Sequence, residues 1–538
     1  MISSVFGYFF GRKTDVNGNL IREYSTNNKS LDVNSFNPRL QAIFKQLDSI
    51  CPRFTLSTKE IEILNDPKQF YSTLKTKILN SKERIFLSSL YVGKGQKELI
   101  DCLGQALEAN DDLKVSILTD ALRGTREAPK EFCSANLLVP LVEKFGKHRI
   151  DIRMYHTPHL KGFTKSLAPK RINEAWGLQH MKLYGFDDEI ILSGANLSED
   201  YFTDRQDRYY VIKNKSVTNY YNSIHNAVSS LSYQILPSTK NPSGFLMDWP
   251  TSNKSCEPHL NIARFINDSS FLLEPLLKQH DLKNFDEFND EHEFDTILYP
   301  VSQFTPLLNP NNDISTEKPV ILRLLTFLDS PKIKWWFTAG YFNMLPEIQT
   351  KLINGMAEGL IITASAKANS FYKSSGVSYY IPEAYLLIAK KFLQDIKNKS
   401  KENLIKLFEW QNGVVNTPGG WSYHAKGIWI TTPDDPLPSI TIIGSSNYTK
   451  RAYSLDLESN AVIITKDPEL KQKMKDEIDH LLLHAKQLHV EDFEPKTVGY
   501  EKDENGQEIM DKPIKEVNPD RRISYGVHLG LKVIGGKL

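Results

Sequence analysis

At 538 residues the chain exceeds one ordinary domain and suits two or three. Its 40% hydrophobic and 24% charged residues describe a globular polypeptide with ample core, and a net charge of +1 argues against a polycation built to coat nucleic acid. No stretch reaches the roughly eighteen consecutive apolar residues of a membrane-spanning helix, so any membrane contact is expected to be peripheral. Cys51, Cys102, Cys133 and Cys256 lie far apart, without the close pairs of a zinc site, and read as reduced structural thiols.

Residues 1–56 read as an N-terminal targeting or flexible segment. The first forty are rich in Ser and Asn and carry Arg12, Lys13, Arg22 and Lys29, as a mitochondrial presequence does, although Asp15, Glu23 and Asp32 depart from its acid-poor pattern. From residue 57 strand and helix patterns alternate: strands at Arg84–Tyr91, Lys114–Thr119, Ile150–Tyr155, Gln179–Asp187 and Glu189–Ser193, helices at Lys97–Asn110, Leu137–Phe145 and Val217–Leu236. Such alternation implies crossover units, so the expected fold is α/β, each lobe a mixed, mostly parallel sheet with helices on both faces. Residues 241–312, with Pro242, Pro250, Pro258 and the acidic run Asp286–Glu293, read as a connector.

The pattern then restarts. Ile333–Phe342 echoes the strand ending at Tyr91, Leu345–Met356 the first helix, and Leu360–Ala364 the strand ending at Thr119. Tyr91 and Tyr341 stand 250 residues apart; Thr119 and Thr363, like His180 and His424, stand 244 apart. A near-constant offset is the trace of an internal duplication, giving lobes at 57–240 and 313–498. Residues 499–538 form a C-terminal tail that ends in the basic, apolar run Leu529–Leu538.

The chemistry-bearing stretches are Gln179-His180-Met181-Lys182 and Tyr423-His424-Ala425-Lys426, whose alternation puts His and Lys on one strand face. The triplet alone means little, since His159-Leu160-Lys161 and His484-Ala485-Lys486 also fit it. The first two copies carry more: Asn196 and Asp207 follow His180, and Asn447 and Glu458 follow His424, with eleven residues from Asn to acid in both. Histidine serves as nucleophile or general acid/base near neutral pH. Lysine supplies a point charge for phosphate oxygens, and the Asn amide donates to charge developing on them. A carboxylate on the second imidazole nitrogen fixes the tautomer. Two such sets facing each other place two histidines on opposite sides of one phosphorus, one to attack and one to protonate the leaving oxygen. This chemistry calls for no metal and no cofactor.

His180-x-Lys182-x₄-Asp187 resembles the signature of the phospholipase D superfamily, and Gly444-Ser445-Ser446-Asn447 resembles its downstream element, with Ser193-Gly194-Ala195-Asn196 a permuted version. The resemblance implies duplicated lobes with one shared active site at their interface. It adds Asp187 to the catalytic candidates His180, Lys182, Asn196, Asp207, His424, Lys426, Asn447 and Glu458. Thr431 stands where the second motif would have its Asp. His180 carries the more complete motif and is taken as nucleophile, His424 as general acid.

Longer runs resemble one branch of that superfamily, the mitochondrial phosphatidylglycerophosphate synthases: Leu122–Arg126, Ala195–Tyr209, Phe337–Phe342, Gly420–Gly427 and Ser445–Arg451. The likeness spans about residues 57–495. It implies transfer of a phosphatidyl group from CDP-diacylglycerol to the sn-1 hydroxyl of glycerol 3-phosphate through a phosphohistidine. It also implies a peripheral place on the mitochondrial inner membrane and no nucleic-acid partner. Two phosphate-bearing substrates need more cations than two lysines. Arg123, Arg126 and Arg451 are the substrate-binding candidates, with Arg205 and Arg208 also near motif loops, since a guanidinium grips phosphate bidentately. An ordinary surface pair is the competing reading of Arg123 and Arg126. Trp335 and Trp336 read as core, and Val92-Gly93-Lys94-Gly95 lacks the full phosphate-loop pattern. A phosphodiesterase that gives the intermediate to water, and a non-catalytic lipid-binding scaffold, are the alternatives.

Overall fold

Apolar runs such as Ile85-Phe86-Leu87 and Ile361-Ile362 become strands buried on both faces, because helices cover both sides of their sheets. The computed structural model describes residues 33–160, 173–278, 294–502 and 508–535. Most of the presequence-like stretch, Lys161 of one decoy triplet, the run Asp286–Glu293 and Gly536–Leu538 lie outside the described residues.

Two nine-stranded sheets carry the chain. The first contains, in spatial order, Tyr233–Pro237, Ile150–Tyr155, Lys114–Asp120, Arg84–Ser88, Leu183–Phe186, Glu189–Ser193 and Tyr209–Ile212. The second repeats that order with Ala485–Leu488, Ile405–Trp410, Glu358–Ala364, Lys334–Ala339, Lys426–Thr431, Pro438–Ile443 and Glu458–Thr465. The duplication read from the residue offsets is therefore a duplication of topology.

The mostly parallel sheets expected from the alternation are corrected by the structure, since both sheets are mostly antiparallel. Only Arg84–Ser88 with Lys114–Asp120, and Lys114–Asp120 with Ile150–Tyr155, run parallel in the first. Only their counterparts do so in the second. Helices Lys97–Ala109 and Ser134–Phe145 make true crossovers. Beyond them the chain reverses by hairpins, Leu183–Phe186 into Glu189–Ser193 through Asp187-Asp188, which forces antiparallel pairing.

The lobes share a core. One apolar cluster joins Phe86, Leu183 and Tyr210 of the first sheet to Trp336, Trp429 and Ile463 of the second, with faces of helices Lys215–Ser229 and Pro468–Leu482. Trp335 packs in the other layer of the second lobe, so both Trp side chains are core, as their strand positions indicated. Residues 33–56 also belong to the second lobe. Helix Pro38–Asp48 presents Leu40, Ile43, Phe44 and Leu47 at helical spacing to that core, and Phe54–Leu56 pairs with Thr296–Gln303 at the sheet edge.

Arg208, counted among the cations near the motif loops, is a fully buried staple between the lobes. Its guanidinium donates to Glu477 on helix Pro468–Leu482 (2.8 and 3.0 Å) and to the carbonyls of Lys426 (3.1 Å) and Ile442 (2.6 Å), and stacks 3.9 Å over Trp429. Truncation would leave the buried Glu477 carboxylate without its counter-charge, held by the Tyr210 hydroxyl (2.7 Å) and Trp429 Nε1 (3.2 Å), at a cost of roughly 3–5 kcal/mol. Arg208→Ala is expected to lower urea-unfolding stability by about that amount. A change under about 1 kcal/mol would show that the staple contributes nothing to the inter-lobe contact.

Candidate active site

The site is assembled by backbone crossing between lobes. Gly177 turns the chain at φ +110°, where a side chain would strike the Leu455 carbonyl. Three consecutive amides are then pinned: Leu178 N–H on Asp456 (2.9 Å), Gln179 N–H on Asp120 (2.9 Å) and His180 N–H on the Leu457 carbonyl (2.9 Å). In the other half Ser422-Tyr423 pairs in parallel with Arg205-Gln206, and His424 N–H donates to the Gln206 carbonyl (2.8 Å). Leu457 and Gln206 immediately precede Glu458 and Asp207. Each histidine is thereby laid beside the acid of the opposite lobe.

The side chains follow. His180 Nδ1 is 2.8 Å from Glu458, and His424 Nδ1 is 2.6 Å from Asp207. The sequence grouping matched each histidine with the acid of its own half; the structure crosses the partners. With Nδ1–H engaged by a carboxylate, a neutral ring keeps its lone pair on Nε2. Burial pushes both imidazoles well below their usual range, and Lys182 beside His180 and Lys426 beside His424 push further. Lys182 donates to the His180 carbonyl (2.7 Å), and Lys426 lies against the His424 carbonyl, its Nδ1 and Asp207 (3.4 Å). Burial draws Lys182 down to about 7 and Lys426 to about 8, and raises Glu458 to about 7. Asp207 is raised by burial as well.

The halves are not equivalent. Tyr201 places its hydroxyl 3.3 Å from His424 Nε2, and the ring sits between the edges of Tyr201 and Tyr341. The same hydroxyl accepts from Asn196 Nδ2 (3.0 Å), so Asn196 reaches His424 through Tyr201. Among the described residues no side chain is hydrogen-bonded to His180 Nε2. Ser445 donates to Glu458, whereas its counterpart Gly194 leaves no room: a Cβ there would be 2.6 Å from Asp207 Oδ1. The carboxamide oxygen of Asn447 is buried without a partner. Between Asn and acid each lobe also carries an ion pair, Asp200–Arg205 (2.5 Å) and Arg451–Asp456 (3.0 Å), with the signs reversed at matching positions.

Asp187 is outside this cluster. It sits in the hairpin turn at φ +48° and its carboxylate accepts the amides of Lys82 (2.8 Å), Glu83 (2.8 Å) and Arg84 (3.0 Å). Thr431, at the matching place, accepts from the Lys334 amide (3.0 Å) with its hydroxyl. The third motif letter thus ties a turn to the start of a neighbouring strand, which is why Thr suffices in the second lobe. Arg123 stacks on Tyr91 (4.0 Å) and faces Glu127 (3.6 Å), and Arg126 pairs with Glu174 (2.9 Å) and Glu127 (3.5 Å). Arg451 pairs with Asp456, the residue that pins Leu178. Of the decoys, His484 packs edge-on against Trp410.

Tyr201, Tyr341, Asp456, Asp120 and Ser445 complete the site beyond the residues that the sequence indicates. Tyr341 had a signal, since Tyr91 matches it in the repeat. Tyr201 had none, because Ala452 stands at the matching position.

A duplicated α/β fold that brings a His, a Lys and an acid from each half into a single buried cluster defines a protein of the phospholipase D class. Residues 325–482 match the family described as cardiolipin synthase, PLD-like domain. The chain is 49% identical to the CDP-diacylglycerol–glycerol-3-phosphate 3-phosphatidyltransferase of Saccharomyces cerevisiae, over 97% of this chain and 95% of that protein. It is 40% identical to the Schizosaccharomyces pombe enzyme of that name, over 82% and 93%. It is 32% identical to the human mitochondrial one, over 82% and 80%. The chain belongs to the CDP-diacylglycerol–glycerol-3-phosphate 3-phosphatidyltransferase family. Its fold is also that of the phosphatidylserine synthase of Haemophilus influenzae, with a TM-score of 0.66 over 93% of this chain and 98% of the other at 19% identity.

Asp187→Ala is expected to lower stability by roughly 2–3 kcal/mol through the orphaned amides while leaving kcat within about twofold, with Asp187→Thr recovering part of the loss. Unfolding curves and steady-state kinetics on the same preparations check this. A hundredfold loss of kcat in a stably folded Asp187→Ala protein would return Asp187 to the chemistry.

Proposed function

We propose that the protein transfers the phosphatidyl group of CDP-diacylglycerol to the sn-1 hydroxyl of glycerol 3-phosphate, giving phosphatidylglycerophosphate and CMP. The observation that carries this reading is the crossed pair of histidines, His180 on Glu458 and His424 on Asp207, in a chain so similar along its length to enzymes of that activity.

His180 Nε2 attacks the phosphorus that bears the diacylglycerol. An N–P bond forms as the P–O bond to CMP breaks, and the electron pair leaves with the CMP phosphate. Glu458 stabilises the positive charge that develops on the His180 ring. His424 is the acid–base partner: it shares its proton with the departing phosphate and takes the proton of the sn-1 hydroxyl. That oxygen then forms a new P–O bond as the N–P bond breaks. A nucleophile needs a free lone pair, and burial pushes both imidazoles well below their usual range. His424 carries its second proton only in the first step, with Asp207 and the anionic substrate to stabilise it, and is neutral when it meets the sn-1 hydroxyl. The open Nε2 of His180 suits attack, and the Tyr201 hydroxyl on His424 Nε2 suits a ring that passes protons. Lys182, Lys426 and the amides of Asn196 and Asn447 balance charge on the phosphoryl oxygens. Arg123, Arg126 and Arg451 bind substrate phosphates by exchanging Glu127, Glu174 and Asp456 for the more highly charged ligand.

The reaction commits phosphatidate units to phosphatidylglycerol and cardiolipin. The animal relatives are named as mitochondrial proteins, and a mitochondrial location follows for this one. We place it peripherally on the inner membrane, in keeping with the finding that no described helix is long and apolar enough to cross a bilayer.

Labelled CDP-diacylglycerol, assayed with and without glycerol 3-phosphate, tests the reading. Sustained CMP release is expected only with the acceptor, and His180→Ala and His424→Ala are each expected to abolish it. Equal release of free phosphatidate in both arms would make the protein a hydrolase.

A further inference from the structure

The segment that follows Asp520 takes no part in the catalytic cluster described for the two lobes. Its course crosses one edge of the second lobe, at the carboxyl ends of the parallel strands. Lys367, just past Glu358–Ala364, holds Asp520 (2.7 Å), and Glu409 near the end of Ile405–Trp410 holds Arg521 (2.7 Å). Glu383 accepts from the Ser524 amide (3.0 Å) and hydroxyl (2.8 Å). Helix Tyr525–Ile534 follows, and Asn343 donates to the Gly535 carbonyl beyond it (2.7 Å). Asn343 is two residues from Tyr341, whose ring meets His424. The helix therefore lies along the rim of the catalytic cluster.

Among its described side chains, one face is used by the fold. Val527 and Leu531, with Ile523 ahead of them, pack on Ala384 and Leu387 of helix Ile381–Asn398. Tyr525 and Leu529, four residues apart on the other side, are 78% and 51% exposed. Tyr380, at the start of helix Ile381–Asn398 and so beside the Ser524–Glu383 contact, is 50% exposed. From Arg521 to Gly535 the segment carries Arg521, Arg522, His528 and Lys532 and no acid, and Arg522, His528 and Lys532 are exposed. An apolar stripe flanked by cations alone is complementary to a sheet of anionic headgroups over acyl chains.

Resting on the phosphatidyltransferase reading, we propose that helix Tyr525–Ile534 is the membrane-docking element, lying in the interface of an anionic phospholipid bilayer. There it sets the rim of the active site against the surface from which the diacylglycerol moiety must be drawn. Tyr525, Leu529 and Tyr380 enter the headgroup–acyl boundary, and Arg522 and Lys532 meet phosphates.

The test uses the full chain and two double variants, Tyr525→Ser with Leu529→Ser, and Arg522→Glu with Lys532→Glu. Vesicles of phosphatidylcholine with and without phosphatidylglycerol are sedimented with each protein. Wild type is expected on anionic vesicles, the first variant bound roughly tenfold more weakly and the second weakened by at least about fivefold per charge. On vesicle-borne CDP-diacylglycerol both variants should raise KM in proportion, while turnover of a short-chain, monomeric CDP-diacylglycerol stays at the wild-type value. Binding and KM unchanged in both variants would overturn the proposal. So would an equal loss on the short-chain substrate, which would make the helix structural, or a wild-type dimer on size exclusion that the first variant loses, which would make the face a contact between copies. Failure of wild type to turn over either substrate would instead defeat the transferase reading, with sedimentation still judging the docking face.

Discussion

The two amide-to-carbonyl bonds that lay His180 on Leu457 and His424 on Gln206 decide where everything else in the site falls. Each ties a catalytic strand of one lobe to the residue before the acid of the other. The histidine–carboxylate pairs therefore exist only when the lobes are docked. This couples chemistry to the shared core and to the Arg208–Glu477 staple, whose guanidinium also holds the Lys426 carbonyl. Neither lobe alone holds a complete site.

Burying two lysines, two acids and two imidazoles together is tolerable because the charges compensate and the polar atoms are largely bonded. Burial lowers both rings and raises both acids, so the free cluster favours few charges. An arriving phosphate, being anionic, stabilises the lysine charge that burial opposes, so substrate binding itself tunes the site. The lobes share a plan and differ in detail. Reversal of the Asp200–Arg205 pair to Arg451–Asp456 puts Arg205 beside His424 and Asp456 beside the loop that carries His180. Tyr201 and Ser445 each serve one half only. The two half-sites share a topology and differ by local substitutions.

Much of this was legible in the residues. The repeat offset pointed to a duplication, without the strand Thr296–Gln303 and residues 33–56 that the second lobe also holds, and the Asn and acid partners set His180 and His424 apart from the decoys at His159 and His484. Sheet direction was misread because alternation of strand and helix does not say which connections are crossovers and which are hairpins; the Asp187-Asp188 turn was the clue. Asp187 was taken into the chemistry on resemblance, although seven residues from His180 along a strand carries it to the far end. The crossing of acids between lobes was invisible, since spacing along a chain carries no information about which half faces which. Helix Pro38–Asp48 was hidden by the tail before it, despite its stripe of Leu40, Ile43, Phe44 and Leu47.

The crossed pairing is tested most directly in the first turnover. Rapid-quench release of CMP from CDP-diacylglycerol without acceptor, with the phosphorylated histidine mapped by mass spectrometry, would be compared in Glu458→Gln and Asp207→Asn proteins. The expected result is label on His180, formed at least about a hundredfold more slowly in Glu458→Gln. In Asp207→Asn the label should still form and then pass sluggishly to glycerol 3-phosphate. Label on His424, or suppression of His180 labelling by Asp207→Asn and not by Glu458→Gln, would contradict it.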